Sequence, residues 1–137
     1  ASNLLESETG NQNYQRITVA NYLSSRLKSL GVKRIFAVAG NYVAPFLDTV
    51  SEDKSPDAIT ITGTANEIIA GYAADGYARA QGHKGIGVVA VTYGVGDHSL
   101  LNAVKGSFVE QIPIIVINGA PTNKEFKNLF HTELVYT

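Results

Sequence analysis

The segment TANEIIAGYAADGYARAQG, residues 64–82, has helical composition and carries a carboxylate, Glu67, in its first turn. At helical spacing Glu67 stacks with Gly71, Ala74 and Ala78, small residues that let another element come close. Two roles fit an acid so placed. Thr64-Ala65-Asn66-Glu67 has the spacing of a capping box, with Thr64 as N-cap and Glu67 at the third helical position. A carboxylate there also suits the helix dipole. The small-residue stripe points instead to burial or an interface, where an acid needs a partner.

The other chemistry-bearing residues give weaker signals. Gly94-Val95-Gly96 follows an apolar run as a dinucleotide fingerprint does, but Ser99 holds the third glycine position, so the pair reads as a tight turn. Gly85-Ile86-Gly87 precedes its strand, the wrong side for phosphate. His83, His98 and His131 are not at metal-ligand spacing, and no cysteine is present to assist them; each reads as structural or exposed. Asp75 and Arg79, four apart, read as a solvated helix ion pair. Ser24, Ser25 and Ser99 lack the context of a nucleophile elbow.

The elements that must position these residues follow from periodicity. Val19, Leu23, Leu27 and Leu30 predict a helix from residue 17, stopped at Gly31. Strands are predicted at 34–38, 58–62, 85–91 and 113–117, and helices at 45–50, 64–82 and 97–110. Strictly alternating elements with continuously apolar strands predict an α/β domain, its mostly parallel sheet covered by helices on both faces. The loops after the strands, AGNY (39–42), TGT (62–64), TYGVGD (92–97) and NGAPTN (118–123), pair glycine with polar residues. In a parallel sheet they gather at one end, where ligands bind.

The chain has 137 residues, 45% of them hydrophobic, which is one domain with a real core. Its net charge of −1 gives no reason to expect nucleic acid or an anionic membrane, and no apolar run approaches spanning length. Residues 1–15 are polar and expected to be loose, leaving 16–137 as the domain. The absence of cysteine is compatible with a cytoplasmic protein. The absence of any methionine suggests a trimmed chain or a piece of something longer.

From about Ile17 to Thr132 the chain resembles the N-terminal pyrimidine-binding (PYR) domain of thiamine-diphosphate enzymes, the group of pyruvate and indolepyruvate decarboxylases and acetolactate synthase. Two segments carry the resemblance: ANEIIAGYAADGYARAQG and TYGVGDHSLLNAVKGSFVEQIPIIVINGAP, the second in the decarboxylase style. The resemblance implies that Glu67 hydrogen-bonds N1′ of the aminopyrimidine and favours the tautomer that deprotonates C2 of the thiazolium. C2 then adds to a 2-oxo acid, which loses carbon dioxide. It also implies Gly40, Asn41, Thr92 and Tyr93 as cofactor-binding residues and His131 as a second catalytic residue. Mg²⁺ and the diphosphate would be held by a separate diphosphate-binding domain of the same or a partner chain, in a homo-oligomer whose neighbouring subunit packs on the stripe Gly71, Ala74 and Ala78.

Two positions depart from the decarboxylase pattern. That pattern has an aspartate where this chain has Asn41, and a histidine pair where this chain has Phe130-His131. Asparagine hydrogen-bonds but does not relay a proton. The groups that finish simple decarboxylation are thus depleted, and an intermediate left unprotonated can couple to a second carbonyl. The resulting expectation is decarboxylation followed by carboligation, against an ordinary 2-oxo acid decarboxylase using Asn41 and His131. The expectation from another class is a non-catalytic homologue that kept only the fold; retention of Glu67 speaks against it.

Overall fold

Residues 17–122 are described by the computed structural model, as strands and helices in alternation. Helix α1 (Val19–Ser29) starts where Thr18 Oγ1 accepts the Asn21 amide at 3.1 Å, and it ends before Gly31, whose φ of +81° is left-handed. Strand β1 (Arg34–Ala37) follows, then α2 (Ala44–Ser51) with Pro45 in its first turn. Next come β2 (Thr60–Gly63), α3 (Glu67–Ala80), β3 (Gly87–Thr92), α4 (Val95–Val109) and β4 (Ile114–Gly119).

The four strands form one parallel sheet in the order β2-β1-β3-β4. The chain moves one way along the sheet from β1 to β2 and the opposite way from β2 through β3 to β4. To keep crossovers of one hand, the connecting helices must change face, and they do. Alternate residues of β3 show it, because successive side chains point to opposite faces. Val88 and Ala90 pack with Leu27, Phe46, Leu47 and Val50 of α1 and α2, while Val89 and Val91 pack with Ala70, Ala74, Leu100 and Ala103 of α3 and α4. The predicted α/β sheet with helices on both faces is therefore present. Strand β4 is as apolar as β3, yet Val116 is 38% exposed, because β4 lies at the edge of the sheet among the described residues.

The stripe on α3 needs a correction. Gly71, Ala74 and Ala78 are buried within this chain and do not face a neighbouring subunit. A methyl group added at Gly71 would come within 2.5 Å of Leu100 Cδ1 and 2.6 Å of Ala103 Cβ, and one at Gly87 would strike the Ala74 carbonyl. The small residues let α3 sit directly on the start of β3 and against α4. Asp75 and Arg79 are also more than a solvated pair. Ser107 Oγ on α4, itself buried, donates to Asp75 Oδ2 at 2.6 Å, and Arg79 Nε donates to Asp75 Oδ1 at 2.6 Å. Arg79 Nη1 also reaches Glu110 Oε2 at 2.7 Å. Arg79, then Ser107, hold the Asp75 carboxyl below the usual carboxylate range against the opposing effect of burial. The network ties α3 to α4 at the end remote from Glu67.

Candidate functional site

Because β1 continues to β2 on one side and β3 to β4 on the other, the loops after β1 and β3 diverge at the carboxyl edge of the sheet. That divergence is the topological switch point where α/β sheets bind ligands. The backbone approach is close there: a methyl group on Gly40 would lie 2.8 Å from Thr92 Cβ, so only glycine lets the loop after β1 rest on the end of β3. The Gly40 carbonyl then accepts the Ala44 amide at 2.9 Å and starts α2. Asn41 is exposed in the same turn.

Tyr93 follows β3 and is tied to β4 by its amide, which donates to the Gly119 carbonyl at 2.8 Å. Its ring meets that of Tyr42 edge-on, with centroids 6.1 Å apart. The Tyr93 hydroxyl is buried and has no hydrogen-bond partner among the described residues. Leaving a phenol so costs about 1–3 kcal/mol, which a ligand or a bound water at this edge would offset.

Glu67 is not a capping-box residue. The N-cap of α3 is Asn66, whose Oδ1 accepts the Ile69 amide at 2.9 Å, so Glu67 is the first helical residue and not the third. Thr64, the expected cap, instead donates its hydroxyl to the Asn66 carbonyl at 3.0 Å. Asparagine and threonine are both good caps, and spacing alone did not separate them. The Glu67 carboxylate is thus left for other work. A methyl group at Gly96 would stand 3.4 Å from Glu67 Oε1 and 3.4 Å from Thr92 Cγ2, so acid, helix start and strand end converge on that glycine. The half-buried Glu67 has no hydrogen-bond or ionic partner among the described residues.

The turn that delivers Gly96 is constrained. Gly94 has φ +81° and ψ −107°, a conformation open only to glycine. Its carbonyl accepts both the His98 amide at 3.1 Å and, at 2.8 Å, His98 Nδ1, which is also 3.1 Å from Asp97 Oδ1. Two acceptors at Nδ1 assign the proton to that nitrogen. The Gly94 carbonyl, then Asp97, raise the His98 pKa from its ordinary value. Asp97 Oδ2 in turn accepts from Asn118 Nδ2 on β4 at 2.9 Å.

Of the predicted site residues, Gly40, Asn41, Glu67, Thr92 and Tyr93 come together at one edge of the sheet. His131, with Phe130, lies outside the described residues. Sequence reasoning passed over Gly96, Tyr42 and the Asn118–Asp97–His98 chain. The signal for Gly96 was its place in the Gly94-Val95-Gly96 pair between a strand and a helix, which reads as turn geometry alone. A polar cleft of about 760 Å³ between α1 and α2, lined by Ser24, Lys28, Thr49 and Asp53 among others, lies at the opposite end of the sheet from this edge. Among the described residues no group of three His, Cys, Asp or Glu side chains could hold a metal, and no helix is long and apolar enough to cross a membrane.

The edge fits the pyrimidine half of thiamine diphosphate. An aminopyrimidine presents ring nitrogens that accept and an amino group that donates; Glu67 and the Tyr93 hydroxyl, both unpartnered among the described residues, offer complementary groups. Comparison with known proteins bears on the family and not on these residues. Residues 17–136 match the family model of the thiamine pyrophosphate enzyme, N-terminal TPP binding domain. The chain is 46% identical over 105 residues to an alpha-keto-acid decarboxylase of Mycobacterium tuberculosis (strain ATCC 25618 / H37Rv). It is 46% identical over 104 residues to one of Mycobacterium leprae (strain TN) and 45% identical over 105 residues to one of Mycobacterium avium (strain 104). These matches cover 76–77% of this chain but only 17–18% of the relatives' own length.

Proposed function

Because the chain belongs to the family of thiamine pyrophosphate enzyme N-terminal TPP binding domains, we propose that it supplies the acid half of a site that cleaves 2-oxo acids. The observation that carries this reading is the Glu67 carboxylate, released from helix capping and unpartnered among the described residues, at the switch point against Gly96 and Thr92. Bound thiamine diphosphate would supply the nucleophilic carbon and the electron sink for loss of carbon dioxide. Glu67 would hold and exchange one proton at a carboxylate oxygen facing the pyrimidine. Gly40 and Thr92 would form the floor beneath the ring, and the Tyr93 hydroxyl would take up a hydrogen bond. Asn41 lies on the exposed turn of the same edge, and His131, outside the described residues, would be a second catalytic residue. Mg²⁺ and the diphosphate would be held by a separate domain, and the complete protein would be a homo-oligomer acting in the cytoplasm.

With Asn41 where the family's decarboxylases carry an aspartate, the favoured outcome is decarboxylation followed by carboligation. The second reading is simple decarboxylation, favoured by the name carried by the mycobacterial relatives. The test of the central role is hydrogen–deuterium exchange at C2 of thiamine diphosphate bound to the complete enzyme. Glu67→Gln keeps the size of the side chain but not its exchangeable acid. The exchange rate should fall by orders of magnitude while the protein remains folded. An unchanged rate would remove Glu67 from the chemistry.

A further inference from the structure

We infer that His98 is a positioning residue for Glu67: held by Asp97, its imidazole clamps the Gly94 carbonyl and so fixes the glycine turn that sets Gly96 against the carboxylate. The inference rests on the reading of Glu67 given above. Its warrant is a continuous set of contacts. Asn118 on β4 donates to Asp97, Asp97 faces His98 Nδ1, and Nδ1 donates to the Gly94 carbonyl at 2.8 Å. Gly94 holds φ +81° and ψ −107°, and two residues later Gly96 stands where an added methyl would meet Glu67 Oε1 at 3.4 Å.

Glycine enters that region without strain but populates many others as readily, so its surroundings must select this one. No side chain caps the start of α4. The imidazole does that work from the other direction, by fixing a carbonyl at the turn and not an amide of the first helical turn. Without it, the His98 amide alone would hold the Gly94 carbonyl, and the gap between Gly96 and Glu67, which the proposed cofactor contact requires, would be set less tightly.

The contact uses Nδ1–H, which the neutral and the protonated ring both carry. The clamp therefore persists through titration of the ring, which separates positioning from proton transfer by His98 itself. It also makes the two amide replacements unequal. Asparagine puts its Nδ2 donor where Nδ1 lies; glutamine puts its donor near Nε2.

The experiment compares His98→Asn, His98→Gln and His98→Leu in the complete enzyme, with Glu67→Gln alongside. Two readouts are taken: amide hydrogen–deuterium exchange of the peptide spanning residues 93–100 without cofactor, and C2 exchange of bound thiamine diphosphate across pH. His98→Leu and His98→Gln should open the peptide and slow C2 exchange about tenfold, the scale of one lost hydrogen bond. His98→Asn should restore both and leave the pH profile as in the wild type. Wild-type protection of the peptide in His98→Leu overturns the inference, as does loss of a pH limb in His98→Asn, which would make His98 a proton carrier. If Glu67→Gln leaves C2 exchange unchanged while the peptide still opens in His98→Leu, the clamp stands and the assignment of Glu67 fails.

Discussion

Asn66 and Glu67 are adjacent, yet only Asn66 caps the helix, and the difference is measurable. Asn66 Oδ1 satisfies one of the amides that the start of α3 leaves open. Asn66→Ala should therefore cost about 0.5–2 kcal/mol, read as a lower unfolding midpoint. Glu67→Gln should leave that midpoint nearly unmoved. The reverse ranking would return Glu67 to the role of a cap. Gly96 gives a second test. Its missing side chain leaves the space in front of Glu67 open, and a methyl there would make ordinary contact and not a clash. Gly96→Ala should thus fold normally but bind thiamine diphosphate at least about tenfold more weakly, by isothermal calorimetry on the complete enzyme. Unchanged affinity would mean that the ligand does not use this gap. The roles of Asn66 and Gly96 were the least legible from sequence. Threonine and asparagine compete as caps two residues apart, and a glycine after a strand serves turns and ligands alike.

Elements were far more legible, because periodicity reports burial directly. The run GIGVVAV predicted a doubly covered strand, and β3 buries Val88, Val89, Ala90 and Val91. The stripe on α3 was recognised as a close-packing face, but periodicity does not say whose surface it meets; here it meets β3 and α4 of the same chain. Gly71 is the sharpest probe of that contact. Gly71→Val would drive branched atoms into Leu100 and Ala103, and overpacking of this kind costs about 1–3 kcal/mol or more. An unfolding midpoint equal to wild type would show that α3 and α4 are not packed as described. The far end of the sheet offers an electrostatic test. Lys28 on α1 pairs with Asp53 after α2 and, at 3.4 Å, with Asp57. Lys28, then Ser55, lower the Asp53 pKa to about 2. A carboxyl depressed in the folded state stabilises above its unfolded pKa, and that contribution is lost as pH falls through the folded value. Asp53→Asn should therefore flatten the acid limb of the stability profile between about pH 4 and pH 2, and an unaltered limb would mean that the ion pair does not persist in solution.

At the scale of the whole molecule, this chain is an N-terminal TPP binding domain, and two surfaces bear on the proposed complete enzyme. With the α3 stripe turned inward, the apolar groups left exposed on α3 and α4 include Ile68, Tyr72, Leu101 and Phe108, the last 82% exposed. A proposed partner subunit would cover these. Leu101→Asp with Phe108→Asp should lower the association state of the complete enzyme in sedimentation, and an unaltered state would place the contact elsewhere. The carboxyl edge is the other surface, and there the proposed carboligation turns on Asn41. An aspartate in its place could pass a proton to the carbon left after carbon dioxide departs and so release an aldehyde; the amide of Asn41 hydrogen-bonds but has no proton to relay at neutral pH. Phe130, in the segment that ends the chain, removes a second titratable group from the family's histidine pair. Asn41→Asp combined with Phe130→His should therefore shift products from coupled hydroxyketone towards free aldehyde, measured on a panel of 2-oxo acids with thiamine diphosphate and Mg²⁺. The shift should exceed that of either single substitution without equalling their sum, since two groups acting on one proton transfer are coupled. If the unmodified enzyme already releases aldehyde as efficiently as the double variant, Asn41 is no obstacle to protonation, and simple decarboxylation, the activity named in the mycobacterial relatives, replaces coupling as the outcome.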